Sequence, residues 1–406
     1  MEVWLVNHYA ITPDRPGGTR HFDLGTELTK HGFKVKVFAC DINLSTRKRT
    51  LLKESETFRV EKHGDLEFVW VNATEYEQNN WKRVANMLTF SKNFQRAAME
   101  IMGDTPVAIV GSSPHPFAAI AAMKLSKRLG STFFLELRDL WPQALVDMGE
   151  VAEGHPMVRV MRNLERRLYK GAKKVIILAE GSAGYLTKRG IKPEDILYIP
   201  NGVHLEHFKP SRSRVESRAK YRFERFTFVY TGAHGPANAL GTILEAAREL
   251  ESNKNIEFAL FGDGPSKAAL KEAGAGLTNL RFFDPVPKGE IPNILAAADG
   301  GIITLKDVDA FAYAVSPNKL FDYMGASLPV ICATPGDMAR MVETSECGFT
   351  SKPEDSADLA TKTLEMSRKS AEELAAFGER GLAYVSANFS RQALAAKLAE
   401  SLRGAG

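Results

Sequence analysis

Cysteine is scarce in this 406-residue sequence: Cys40, Cys332 and Cys347 stand far apart, with no CxxC pair and no partnering histidine. That spacing excludes a disulfide framework and a structural zinc site, and fits a reduced, cytoplasmic compartment. Long apolar runs are missing too. The longest stretch without Asp, Glu, Lys or Arg, Thr105 to Met123, contains Pro106, Pro114 and Pro116, so it reads as strand, loop and helix instead of a membrane span. No basic residue precedes the short apolar run of MEVWLVNHYA, so a secretory signal is not expected. No nucleic-acid-binding motif is found. What is present, 44% apolar and 25% charged residues with 32 Gly and 19 Pro, excludes disorder and collagen, and the length suggests two domains. The net charge of +4 is unevenly spread: residues 1–205 hold 29 Lys and Arg against 23 Asp and Glu, the remainder 24 against 26.

Short β-rich runs recur with helical segments between them. In the first half they fall at 2–7, 35–39, 66–71, 107–110, 132–137, 175–179 and 196–199, and after a polar pause they resume at 226–231, 256–261, 280–283, 301–305 and 329–333. Several are apolar at successive positions, as strands covered by helices on both faces are. The intervening segments carry apolar residues at i, i+3 and i+4 and stop at glycine. This alternation predicts an α/β chain of two doubly wound, parallel-sheet (Rossmann-like) domains facing a cleft. The expected division is 1–205, 206–385 and a C-terminal helix at 386–406, with a crossing back to the first domain as one option. Ligands of such sheets bind beyond the carboxyl ends of the strands, so the loops after each run carry the functional information.

After the first run, HYAITPDRPGGTRHFD places Gly17 and Gly18 just before a helix start. There bare backbone and free amides favour an anion, although a glycine turn chosen for geometry alone gives the same pattern. Gly262, Asp263 and Gly264 end another strand and could seat a ribose or base edge. VSPNKLFDYMGASLPVI (315–331) is more specific. Ser316 suits an N-cap, Pro317 the first helical position, and Asn318 and Lys319 the first turn. A lysine is unfavourable beside the positive end of a helix dipole unless an anion binds both, the alternative being a snorkelling surface lysine. Asp322 lies one helical step further, placed to accept hydrogen bonds from sugar hydroxyls.

SPNKLFDYMGASLPVI, together with PNGV (200–203), GDGP (262–265) and AAAD (296–299), resembles the retaining GT-B glycosyltransferases of family 4. The opening NHYAITPDRPGGTRHFDLGTEL and the segment LELRDLWP are similar to the branch that builds O-antigen, lipopolysaccharide and capsular polysaccharide. The resemblance spans nearly the whole chain. It implies that Gly17 and Gly18 face the donor diphosphate, and that Gly232, Gly262, Asp263 and Gly264 surround the nucleotide. Ser316, Pro317, Asn318 and Lys319 would hold the diphosphate, and Asp322, as the second carboxylate of an E-x7-E motif, the ribose. The first carboxylate of that motif falls at Ala314, a departure that leaves the contact to the transferred sugar open.

Where many members carry a His-Asp pair, this chain has Arg138 and Asp139, preceded by Glu136. Arg138 cannot act as a base and is expected to pair with a phosphate, sugar carboxyl or acetamido group. Asp139 and Glu136 are expected to accept from sugar hydroxyls or the attacking alcohol, with an ion pair inside this tetrapeptide as the alternative. Asn238 and Lys288 are carried as donor contacts in place of the family's basic clamp, with His234 in the same loop as a further option. Asp307 and Asp309 form a DxD, a pattern that can hold a divalent metal, but the fold family neutralises the leaving group with lysine, arginine and helix amides, so no metal or other cofactor is expected. His115 reads as a loop residue.

The resemblance implies an enzyme transferring an N-acetylated hexosamine or 6-deoxyhexosamine from a UDP-sugar to a polyprenyl-diphosphate-linked oligosaccharide. Rival readings are a nucleotide-sugar 2-epimerase of the same architecture and a non-catalytic nucleotide-sugar-binding subunit. The basic segment RVMRNLERRLYKGAKK (159–174) suggests peripheral contact with the inner membrane surface, or else a merely solvated face.

Overall fold

The computed structural model describes all residues except 16–17, 45–46, 78–80, 148, 150, 310, 312–315, 317 and 405–406. The chain divides into two compact units, Met1–Pro200 with Arg391–Gly406, and Asn201–Ser390. The divisions fall at Pro200 and Ser390 instead of 205 and 385, because the Val203 amide donates to the Phe389 carbonyl and Val203 bridges Ser390, which keeps both segments in the second unit.

The first unit is built on an eight-stranded sheet of β1 (Glu2–Val6), β2 (Lys34–Cys40), β3 (Phe58–His63), β4 (Leu66–Val71), β5 (Ala108–Ser112), β6 (Thr132–Leu137), β7 (Lys174–Ile177) and β8 (Ile196–Tyr198), in the order β3-β4-β2-β1-β5-β6-β7-β8. All neighbours are parallel except β3, which pairs antiparallel with β4 as a hairpin edge. β1, β2, β4 and β5 are buried almost throughout, which is why they read as continuous apolar runs. β3, FRVEKH, is only half-buried and polar, and was not predicted.

The second unit holds β9 (Phe226–Thr231), β10 (Ile256–Phe261), β11 (Leu280–Phe283), β12 (Gly300–Thr304), β13 (Val330–Ala333) and β14 (Gly348–Thr350), all parallel, in the order β11-β10-β9-β12-β13-β14. This is the doubly wound order, and its direction reverses between β9 and β12, as it does between β1 and β5 in the first unit. The unpredicted β14 is three residues long and only half-buried.

The final helix, Arg391–Arg403, completes the first unit's core. Its Leu394, Leu398 and Leu402 are buried with Leu24 and Leu28 of the helix Arg20–Lys30. Arg391 pairs with Asp23, buried on both sides, and the Arg403 guanidinium donates to the His31 carbonyl at 2.8 Å.

Candidate functional site

The first unit's strand ends enclose a cavity of about 230 Å³ beside the β1/β5 reversal. Trp70, Ile42 and Ile11 give it apolar walls, and Arg15, Arg138 and Asp139 supply charge, with Gly18 at its margin. A volume below roughly 300 Å³ suits one small polar group more than a whole nucleotide sugar. The Arg15 guanidinium lies 3.9 Å from the centre of the Trp70 ring and donates to Thr50 Oγ1 at 2.5 Å. Arg138 makes no ion pair within the described residues. Asp139 is open to solvent on one side but crowded by protein on the others. That crowding raises its carboxyl above the ordinary value, while the neighbouring Arg138 pulls the other way.

Glu136 does not line this cavity. It is buried under the strand ends, where Arg20 Nε donates to Oε2 at 3.1 Å, Ser112 Oγ donates to Oε1 at 2.9 Å, and His21 Nε2 lies 3.0 Å from Oε1. The Arg20 guanidinium also donates to the carbonyls of Pro200 and Ile199, at 2.5 and 2.7 Å. Burial pushes the Glu136 carboxyl up, but Arg20, His21 and Arg138 outweigh it and hold it well below the usual carboxylate range. Glu136, expected to meet a sugar hydroxyl, is instead buried with both carboxylate oxygens engaged by Arg20, His21 and Ser112. Arg138 acts on it through its charge alone, and among the described residues its ion-pair partners lie outside its tetrapeptide. Arg20, His21, Ser112 and Asn7, whose amide lies 2.9 Å from His21 Nδ1, escaped sequence reasoning. The one available signal was the charged pair Arg20-His21 opening a helix directly after the paired glycines. His115 caps the helix Pro116–Leu129 through Nδ1, at 3.5 Å from the Ala118 amide.

In the second unit, β9 is followed directly by Gly232, where φ is +154° and a Cβ would stand 3.0 Å from Lys319 Nζ. Lys319 is the second residue of the helix Asn318–Gly325. Its ammonium donates to Asn238 Oδ1 at 3.4 Å and lies 4.9 Å from the centre of the Tyr230 ring. Asn238 is held in turn by its carbonyl, which accepts from Thr304 Oγ1 at 2.6 Å. The helix is pinned to β9 by Tyr323, whose hydroxyl accepts from the Thr231 amide at 2.9 Å. Ahead of it, the Ser316 carbonyl accepts from the Asn201 side chain. Asp322 follows Lys319 by one turn on the same face. Burial raises its carboxyl to about 7 although Lys288 and Lys319 both lower it, and burial lowers Lys319 to about 8 although Asp322 raises it. Lys288, Asn238, Lys319 and Asp322 are thus brought to one corner of the sheet, at its reversal.

Gly262 and Gly264 are both required by packing inside the unit. A Cβ on Gly262 would meet the Gly232 carbonyl at 1.8 Å, and one on Gly264 would meet the His234 backbone at 2.6 Å, so both glycines make room for the chain's own β9 loop. The Asp263 carboxylate accepts from the Gly264 amide at 2.9 Å and is exposed. His234 is fully buried, with its amide donating to the Asp263 carbonyl, and serves the packing of these two loops. Asp307 and Asp309 are exposed, and among the described residues no cluster of three or more His, Cys, Asp or Glu side chains is placed to hold a metal ion. Gly17, Ala314 and Pro317 lie outside the described residues.

Comparison with known proteins finds two family matches. Residues 17–202 match the "Glycosyl transferase 4-like domain" and residues 225–369 match "Glycosyl transferases group 1". A probable glycosyltransferase, WbjE of Pseudomonas aeruginosa, is 25% identical over 263 residues, 62% of this chain and 64% of that protein, so the match spans less than two thirds of its length. A GDP-mannose-dependent phosphatidylinositol monomannoside mannosyltransferase of Mycobacterium tuberculosis is 25% identical over 260 residues, 62% of this chain and 67% of that one. Among solved structures, HepE of Anabaena in complex with UDP-glucose is similar over 100% of both chains, with a TM-score of 0.71 at 17% identity, a likeness of fold.

Proposed function

Since the chain belongs to the family-4 glycosyltransferases of GT-B fold, matched by family across both units, we propose that it transfers a sugar from a nucleotide diphosphate donor to an acceptor hydroxyl with retention at the anomeric carbon. The observation that carries this reading is the corner formed by Lys319, Asn238, Lys288 and Asp322 at the reversal of the second sheet. There a helix start and an ammonium converge on the place where such sheets bind ligands.

As the glycosidic bond breaks, negative charge builds on the departing diphosphate. Donors already fixed toward that charge lower the barrier without reorganising. Lys319 is such a donor: Asn238 fixes its ammonium, the Tyr230 ring lies below it, and Gly232 leaves the space it occupies. Asp322 accepts from the ribose hydroxyls once ionised, and Lys288 balances its charge. In the first unit, the cavity beside Asp139 receives the acceptor. Asp139 accepts from the incoming hydroxyl, and the Arg138 guanidinium, without an ion pair among the described residues, orients an anionic or acetamido group through its planar fork.

In this reading the donor is a UDP-linked N-acetylated hexosamine or 6-deoxyhexosamine, and the acceptor a polyprenyl-diphosphate-linked oligosaccharide on the way to a surface polysaccharide. Support comes from the opening segment and LELRDLWP, which resemble the O-antigen and capsule branch. The test is transfer from a panel of UDP- and GDP-sugars to a polyprenyl-diphosphate-sugar, with the anomeric configuration of the product read by NMR. Transfer from a UDP-hexosamine with the donor's configuration kept is expected. Sugar isomerisation without any acceptor would move the chain to the epimerases, and donor binding with no transfer to any acceptor would make it a binding subunit.

A further inference from the structure

The helices Trp81–Glu100, Pro116–Leu129 and Pro156–Gly171 form one layer of the first unit, the outer two both packing on the middle one. They carry four, three and five lysines and arginines respectively, against only Glu100 and the buried Glu165. Lys92, Arg96, Lys127, Arg128, Arg166 and Arg167 are all exposed. In a chain whose net charge is only +4, this layer is therefore far more basic than the rest.

The same layer exposes large apolar side chains at helical spacing. Trp81 is 72% exposed, Val84 46% and Leu88 49%, at i, i+3 and i+7 of the first helix, and Met157 and Val160 are 41% and 60% exposed on the third. Five of the eight large apolar residues exposed among the described residues thus lie on two helices of one layer. Crossover helices run back along their sheet, so the first turns that carry these side chains stand at the carboxyl edge, the edge that holds the cavity.

A solvated basic face has no use for an exposed tryptophan, and an apolar patch for a protein partner does not need so one-sided a charge. We propose that this layer docks on an anionic lipid bilayer, with Trp81, Val84, Leu88, Met157 and Val160 entering the interface and the lysines and arginines meeting the headgroups. Tryptophan at the interface and cations around an apolar stripe are the features that hold a helix in the plane of a membrane surface. This goes beyond the reaction proposed above and does not depend on it, because its readout is binding.

The test is sedimentation of the full-length protein with vesicles of phosphatidylcholine alone or mixed with phosphatidylglycerol, together with tryptophan emission. Binding to the mixed vesicles and a blue shift that Trp81→Phe removes are expected, since Trp4 and Trp70 are fully buried and Trp141, half-buried in the segment after β6, is not on these helices. Trp81→Ser/Val84→Ser/Leu88→Ser should weaken vesicle binding by about tenfold or more with an unchanged thermal midpoint. Arg166→Glu/Arg167→Glu should weaken only the anionic-lipid component. Equal binding by the triple variant, no binding to either vesicle, or binding of RNA without binding of vesicles would overturn the proposal.

Discussion

Glu136 and Arg20 show what one residue pair can hide. The four residues 136–139 offered either contacts to sugar and acceptor or an ion pair among themselves, yet the partner of Glu136 lies 116 positions away. Nothing in the local sequence distinguishes a carboxylate on the cavity wall from one beneath it, since burial is decided by which strands become neighbours. Removing one member of a buried ion pair leaves the other charge uncompensated, so Glu136→Gln is expected to cost about 3 kcal/mol of stability in urea unfolding. An unchanged midpoint would show that the network is dispensable. Lys319 stood out in the sequence because a lysine in the first turn of a helix conflicts with the dipole, and the role proposed for it starts from that conflict. Asp322 gives a pH prediction of definite sign. Its carboxyl, raised to about 7, binds its proton more firmly in the folded chain than in the unfolded one. Its contribution to stability therefore falls as pH rises from about 4 through about 7. The thermal midpoint of Asp322→Asn should gain on the unsubstituted protein across that window and keep a constant offset below it.

Strands and loops were legible to different degrees. β1, β9 and β10 are buried at nearly every position, so their apolar runs could be seen without a partner. β3 and β14 owe their existence to a neighbouring strand and carry no such signal. The glycines after β10 were visible as residues but not in purpose. Gly262 is required by the loop after β9, whose Gly232 carbonyl fills the place of a Cβ. Gly262→Ala, forced against backbone at a φ of +146°, is expected to lose about 1–3 kcal/mol and to displace the loop that carries Asn238. Weakened nucleotide binding together with the lower stability would support this, and stability equal to the unsubstituted chain would contradict it.

At the scale of the molecule, the alternation of strands and helices made the two parallel-sheet units legible, while the membership of the last helix was left open as a crossing. That helix is part of the first unit's core: Leu394, Leu398 and Leu402 are at most 5% exposed. Each buried leucine contributes roughly 1.5–3 kcal/mol, so losing all three approaches the whole stability of a domain. A chain ending at Ser390 should lose hydrogen-exchange protection in β1, β2 and β5 while β9 and β10 keep theirs. The central claim is that the helix start at Lys319 holds the donor diphosphate. Calorimetric titration of UDP and GDP into the unsubstituted protein and into Lys319→Ala tests it most directly. The account predicts one nucleotide bound per chain, an affinity that declines as pH rises through about 8, where Lys319 loses its proton, and a loss of about a hundredfold in the variant. Equal affinity in the two proteins would contradict it.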